Sequence, residues 1–417
     1  MSFGRNLTVD IRSTFAKIAI FSWCCMAFVL PFSTALTLSF SLLAVICSCL
    51  CLTKTALEYL LRDKLVWSLL ALFVWILLSV LWTIAPRTEV VEAVSKYRKL
   101  LLPLLVALPF LYLRISADKL LHWFLYGNLV VVLLAYAAYF GAFGGGELHL
   151  GFFRIGPSEE PLVGRNRITQ GAFYIFAALL VFCSFRGQKF SKILLNYGLF
   201  VALVIPPLFL LSGRTGYVLF LVAGLVGLGY FFYERLWREL CVFFVLLIAG
   251  WMLVKNNPNY SDRVVTMGNE IESVVANATP TGGLDIRFHF YNVGIVESIK
   301  NPIIGSGAGS YAEVYSRSLL GLDQFQGDRI QPHSEVILQL VQGGMIALGL
   351  YFIIALLSVA RSFYLPSTFL ALPMLMTAFF VGSGFNSYIW DLAEGHLFAV
   401  LLGYLIVKSR PSLDSRS

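Results

Sequence analysis

Phe209–Phe220 reads FLLSGRTGYVLF and sits inside Ile193–Tyr233, a run in which Arg214 is the only charged side chain. A guanidinium in the middle of a bilayer costs roughly 2.5 kcal/mol or more. Arg214 therefore lies at a water boundary between two helices, or it faces a polar cavity. The first choice cuts the run into two spans, 193–211 and 215–233, joined by a turn at Ser212-Gly213-Arg214.

The rest of the chain has the same character. Of 417 residues, 58% are hydrophobic and 13% charged, whereas a soluble domain is about 25% charged. With a mean hydropathy of +0.79, this composition excludes a soluble globular enzyme and predicts an all-α polytopic membrane protein. At roughly 20 residues per crossing, the apolar runs amount to about twelve transmembrane helices. They fall near 15–32, 35–52, 65–83, 100–113, 120–143, 171–185, 193–211, 215–233, 240–254, 333–360, 365–381 and 386–407. Arg5, Arg12 and Lys17 precede the first of these as in a signal peptide. A second apolar run follows Pro31 at once, so an uncleaved first helix is expected. All seven cysteines fall within or at the ends of the predicted spans, which indicates packing residues rather than a disulfide framework.

Basic residues are denser on the short segments that share a side with the N-terminus, which predicts cytoplasmic termini and outward-facing long loops. The whole chain then reads as one integral membrane domain, 1–417, carrying a smaller loop at 144–170 and a large loop or cap at 255–332. The large loop enters between the ninth and tenth spans and is too long for a plain connection. Inside it, Asp285 is placed to cap a short helix over 286–299, and Lys300-Asn301-Pro302 ends that helix. GSGAGS at Gly305–Ser310 has the glycines of a phosphate loop, but no strand is predicted before it and no Lys-Ser/Thr follows, so it reads as tight turns.

The chain has no HExxH, no paired CxxC, no DxD, no serine nucleophile elbow and no Walker loop. No metal, cofactor or nucleic-acid partner is indicated. What remains is arginine and histidine on the outer side. Arg214 either snorkels to lipid headgroups or points at an anionic ligand under the cap. Arg287, in LDIRFHFY, opposes the dipole of its helix, yet an arginine beside free helix N–H groups suits an anion. His333, in IQPHSEVILQLVQGG, is a packing residue or a base that titrates near neutral pH. Arg98 and Lys99 also lie at the outer rim, where they can add to an anion site, and Glu335, Asp391 and Glu394 are rim acids that compete for the role of base. Stretches such as 100–113, 171–185 and 336–360 hold no ionisable residue. Ion-coupled transporters place such groups near mid-membrane, so an enzyme at the outer membrane–water boundary is favoured over a carrier of polyprenyl-linked glycans.

SGRTG around Arg214, DIRFHFY around Arg287, NPIIGSGAGSY and PHSEVILQLVQGG together resemble the bacterial O-antigen ligase family, within the wider group that includes O-antigen polymerases. The motifs cover about residues 200–360. One departure is Gln342, where the family often has an acid before the glycine pair. The resemblance implies transfer of O-antigen from undecaprenyl pyrophosphate to lipid A–core on the periplasmic face of the inner membrane, without a metal and with inversion. It implies that His333, Arg214 and Arg287 are catalytic, that the two arginines also bind substrate, and that Arg98 and Lys99 add to the binding site. An O-antigen polymerase and a protein O-oligosaccharyltransferase use the same donor and remain alternatives.

Overall fold

The computed structural model describes residues 2–151, 153–182, 190–211, 213, 215–233, 284–318, 331–365 and 372–409, with 237, 241, 244, 245, 248 and 252 besides. In chain order the helices are α1 (Ser2–Val29), α2 (Thr34–Leu50), α3 (Lys54–Leu61), α4 (Lys64–Leu78), α5 (Arg87–Tyr97), α6 (Leu102–Leu113) and α7 (Asp118–Tyr139). A hairpin of β1 (Leu148–Leu150) and β2 (Phe153–Ile155) precedes α8 (Arg167–Phe182), α9 (Phe190–Ile205) and α10 (Thr215–Tyr233). After them come α11 (Leu284–Lys300), α12 (Ser310–Ser318), α13 (Glu335–Tyr364), α14 (Leu372–Gly382) and α15 (Leu392–Lys408).

The all-helical body agrees with the hydropathy. Among the described residues, four helical stretches are long and apolar enough to cross a membrane: Ile11–Val29, Lys64–Trp82, Asp118–Tyr139 and Glu335–Tyr364. A fifth is α2 with α3, bent by 107° at their junction. The expected number of about twelve is not reached by this criterion. Arg167–Phe182, Leu194–Leu210, Thr215–Tyr230 and Leu372–Gly382 are apolar but shorter, and the predicted span 240–254 lies largely outside the described residues. Most of the predicted cap, 255–283 and 319–330, also lies outside them. The cap helix is longer than expected: α11 begins at Leu284, which puts Asp285 inside its first turn instead of at the cap.

Local sequence explains where these helices start and stop. Pro31 follows the end of α1, and the Ser33 hydroxyl then accepts the Leu36 N–H at 3.3 Å to start α2. Thr53 and Asp63 cap α3 and α4 in the same way, each offering an acceptor to an N–H that has no partner within its helix. The core is made where α1 packs on α2 and α7, α6 on α15, α4 on α13, and α10 on α14.

The two ends of the bundle differ in chemistry. At one end Arg361 makes a bidentate ion pair with Asp63, with Nη1 to Oδ2 at 2.8 Å, and Lys408 meets Asp118 at 3.0 Å. These pairs join the last turns of α13 and α15 to the first residues of α4 and α7. Helices α13 and α15 begin at the opposite end, which carries His333 and Asp391.

Gly344 breaks α13, with φ 65° and ψ −162°. A helix broken there loses partners for the carbonyls before it and the N–H groups after it. Residues 302–307 supply both. Ser306 N–H donates to Val341 O at 2.7 Å and Gly307 N–H to Gln342 O at 3.0 Å, while Met345 N–H donates to Pro302 O at 2.9 Å. Trp75 Nε1 completes the set, donating to Gly343 O at 2.8 Å. The GSGAGS stretch is thus a turn, as expected, and its N–H groups serve a helix instead of a phosphate. Gly307 has φ 95°, and a Cβ there would stand 2.3 Å from Thr83 Cα, so only glycine fits. Gln342 accepts the Gly309 N–H through Oε1 at 2.9 Å. That contact gives it a holding role at the position where the O-antigen ligase pattern often has an acid.

Candidate active site

His333 stands between Pro332 and Ser334, the residue that caps α13 through Ile337 N–H. Its φ is 51°, a left-handed conformation uncommon for a residue with a side chain. Two residues of α11 flank it. The Tyr291 hydroxyl donates to its carbonyl at 3.4 Å, and the Phe290 ring lies 6.0 Å from the imidazole. Arg287, one turn earlier on α11, donates from Nη1 to Phe385 O at 3.2 Å. Phe385 belongs to the turn between α14 and α15, so Arg287 and His333 converge on that turn from one side.

The turn also carries Asn386 and Asp391. With His333 they line a cavity of about 330 Å³, completed by Thr34, Arg165, Asn166, Thr169, Gln331 and Glu394. Gln331 donates from Nε2 to Asp391 Oδ1 at 3.0 Å, which leaves its own Oε1 buried without a partner. Glu394 Oε1 is likewise buried and unpartnered. Such atoms carry an unmet desolvation cost that a hydroxyl donor would relieve. Asp391 precedes the first turn of α15, and burial pushes its carboxyl up, against the pull of Gln331, Lys99 and His333.

Arg165 is held from behind. Its Nε and Nη2 donate to Leu30 O at 3.0 and 2.8 Å, and Nη1 donates to Thr34 Oγ1 at 2.5 Å. Burial lowers its guanidinium to about 10. The residue fastens the loop before α8 to the junction of α1 and α2, and thereby fixes two walls of the cavity relative to each other.

Lys99 is buried, and its ammonium donates to Trp390 O at 2.5 Å and Asp391 O at 2.7 Å. It holds the turn in place, and burial brings its pKa down to about 7. Arg98 beside it is exposed. Glu335, a rival for the role of base, is fully buried. It accepts Gln339 Nε2 at 2.7 Å through Oε1 and Ile389 N–H at 2.9 Å through Oε2, so it braces the turn and does not line the cavity. Arg214 lies outside the described residues. Its neighbour Gly213 is buried, and a Cβ there would stand 2.9 Å from Arg167 O, next to the loop that holds Arg165. Among the described residues, no group of three or more His, Cys, Asp and Glu could hold a metal ion.

Residues 199–352 match the family model described as O-antigen ligase. That segment, rather over a third of the chain, is similar to the O-antigen ligase family. It runs from α9 into the second half of α13 and contains Arg214, Arg287, the glycine turns and His333. A comparison with curated proteins finds no match. The cavity draws on more of the chain than the O-antigen ligase match covers, since Arg165, Asp391 and Glu394 lie outside it. Sequence reading singled out Asp391 and Glu394 only as rival bases and gave Arg165 no role. The available signals were Arg165 shortly before the apolar α8, and acids three apart at the start of α15.

Proposed function

We propose that this chain transfers O-antigen polysaccharide from undecaprenyl pyrophosphate to the lipid A–core oligosaccharide, at the periplasmic face of the inner membrane. The observation that carries this reading is the convergence of His333 and Arg287 on one turn, beside a cavity with unpartnered carboxylate and amide oxygens. A sugar presents many hydroxyl donors to such oxygens.

In the proposed reaction an acceptor hydroxyl attacks the anomeric carbon of the donor. The new carbon–oxygen bond forms as the bond to pyrophosphate breaks, and the hydroxyl proton passes to neutral His333. Direct displacement inverts the anomeric centre. Charge developing on the leaving pyrophosphate is matched by the guanidinium of Arg287, joined by Arg214, without a metal. Asp391 lines the same cavity as His333 and stabilises the imidazole once it is protonated. Lys99 and Glu335 act at one remove by holding the turn that bears Asp391.

The test is reconstitution of the purified full chain with labelled lipid-linked donor and lipid A–core, in detergent. Label on lipid A–core, unaffected by EDTA, supports the proposal. Label moving only between lipid-linked chains identifies a polymerase instead. Label that stays on the donor in detergent, yet crosses a sealed vesicle membrane, identifies a transporter.

A further inference from the structure

A second cavity, of about 550 Å³, lies between α2 and α6. Its walls are mostly apolar, with Leu38 and Leu42 of α2 and Leu101 and Leu105 beside and within α6, interrupted by Ser41, Ser95 and His396, and the residues just before α6 add Lys96, Arg98 and Lys99. Leu42 is 64% exposed, so the groove opens sideways, toward lipid in a membrane-embedded chain. Basic residues beside an apolar trough complement an amphiphile with an anionic head. The volume falls within the roughly 300–1,000 Å³ typical of ligand sites.

The groove adjoins the His333 cavity. Leu392 lines both, and Lys99 reaches from the groove to the Asp391 carbonyl behind the other. Lys96 meets Glu92 at 3.4 Å with both side chains about a third exposed, a pairing weak enough for a phosphate to displace. If the proposed reaction holds, two lipid-borne reactants must reach one centre. Arg287 approaches the 383–391 turn from the α11 side, whereas the groove reaches it from the side of α2 and α6.

We infer that the α2–α6 groove seats the acceptor, a glycolipid that carries phosphate on its lipid end, with that phosphate at Lys96 and Arg98 and an acyl chain along the leucines. This inference rests on the transfer reaction proposed above only for naming the acceptor as occupant. The test is a photo-crosslinking residue at Leu42 in the full chain. The protein is placed in phosphatidylethanolamine vesicles holding lipid A–core in one arm and undecaprenyl pyrophosphate in another. Lipid A–core should be the crosslinked species. Its capture should fall at least tenfold in a Lys96→Gln, Arg98→Gln double variant and with lipid A–core stripped of its lipid phosphates. A Lys96→Arg, Arg98→Lys variant should retain capture, which separates lost charge from lost fold. Preferential capture of undecaprenyl pyrophosphate, equal capture of bulk phospholipid, or capture indifferent to the double variant would overturn the inference. Crosslinking needs no turnover. Capture without transfer therefore removes the proposed reaction while leaving the groove, and transfer without capture does the reverse.

Discussion

At the scale of single residues, His333 and Lys99 make opposite demands on the same turn, one toward the reacting atoms and one toward the backbone. His333→Ala should insert and fold normally yet transfer glycan on the order of 10²–10⁴-fold more slowly, as removal of a general base does. A near-normal rate in reconstituted vesicles would pass the role to Asp391. Lys99→Met should instead destabilise the protein, because it leaves the buried Trp390 carbonyl without a donor at about 1–3 kcal/mol, while the Asp391 carbonyl keeps the Gly395 N–H. The stability difference has a definite pH sign. Burial lowers the Lys99 pKa to about 7 in the fold, against about 10.4 in an unfolded chain. Above pH 7 the unfolded state therefore holds more protons at this site. The advantage of wild type over Lys99→Met should widen between pH 7 and 9 when thermal unfolding is followed in detergent. A difference that stays flat over that range would show that burial does not shift this group. His333 was legible in sequence because a histidine at the start of a long apolar helix has few neighbours of its kind. Arg165 was not, because its meaning lies in the carbonyl of Leu30, far away in the chain.

At the scale of elements, α10 has the predicted bounds, Thr215–Tyr233, whereas α1 begins at Ser2, well before the predicted 15, and α15 begins at Leu392, after the predicted 386. Helices α3 and α5 and the β1–β2 hairpin were not foreseen. Each is short and partly polar, so none produces the long apolar run on which span prediction depends. The break in α13 was equally hidden, since GG inside an apolar run reads as ordinary close packing. Its consequence is testable. Gly307→Val puts a branched side chain against Thr83 at a φ that such residues avoid, and should cost on the order of 3–5 kcal/mol. Unfolding assays on the purified variant should show that loss, whereas Ser316→Ala, on the exposed side of α12, should unfold like wild type.

For the whole molecule, the two chemically distinct ends predict an orientation. A thiol-reactive, membrane-impermeant reagent applied from the periplasm should label a cysteine placed at Glu159, in the loop before α8, and spare one placed at Lys54, in α3. The reversed pattern would put the His333 end in the cytoplasm and remove the proposed reaction. Fold class was legible from composition alone because a membrane imposes one constraint on every span. The cavity was not, because it gathers α2, the loop before α8, His333 and the 383–391 turn, and no local pattern specifies their meeting. The exchange of hydrogen bonds between residues 302–307 and the break in α13 also bears on the order of assembly. Those residues precede α13 in the chain, so during synthesis they emerge before the helix does. The late helix thus finds a waiting template that sets its bend. A permuted chain in which residues 284–318 followed α15 would meet the same contacts in the wrong sequence, after α13 had been free to straighten.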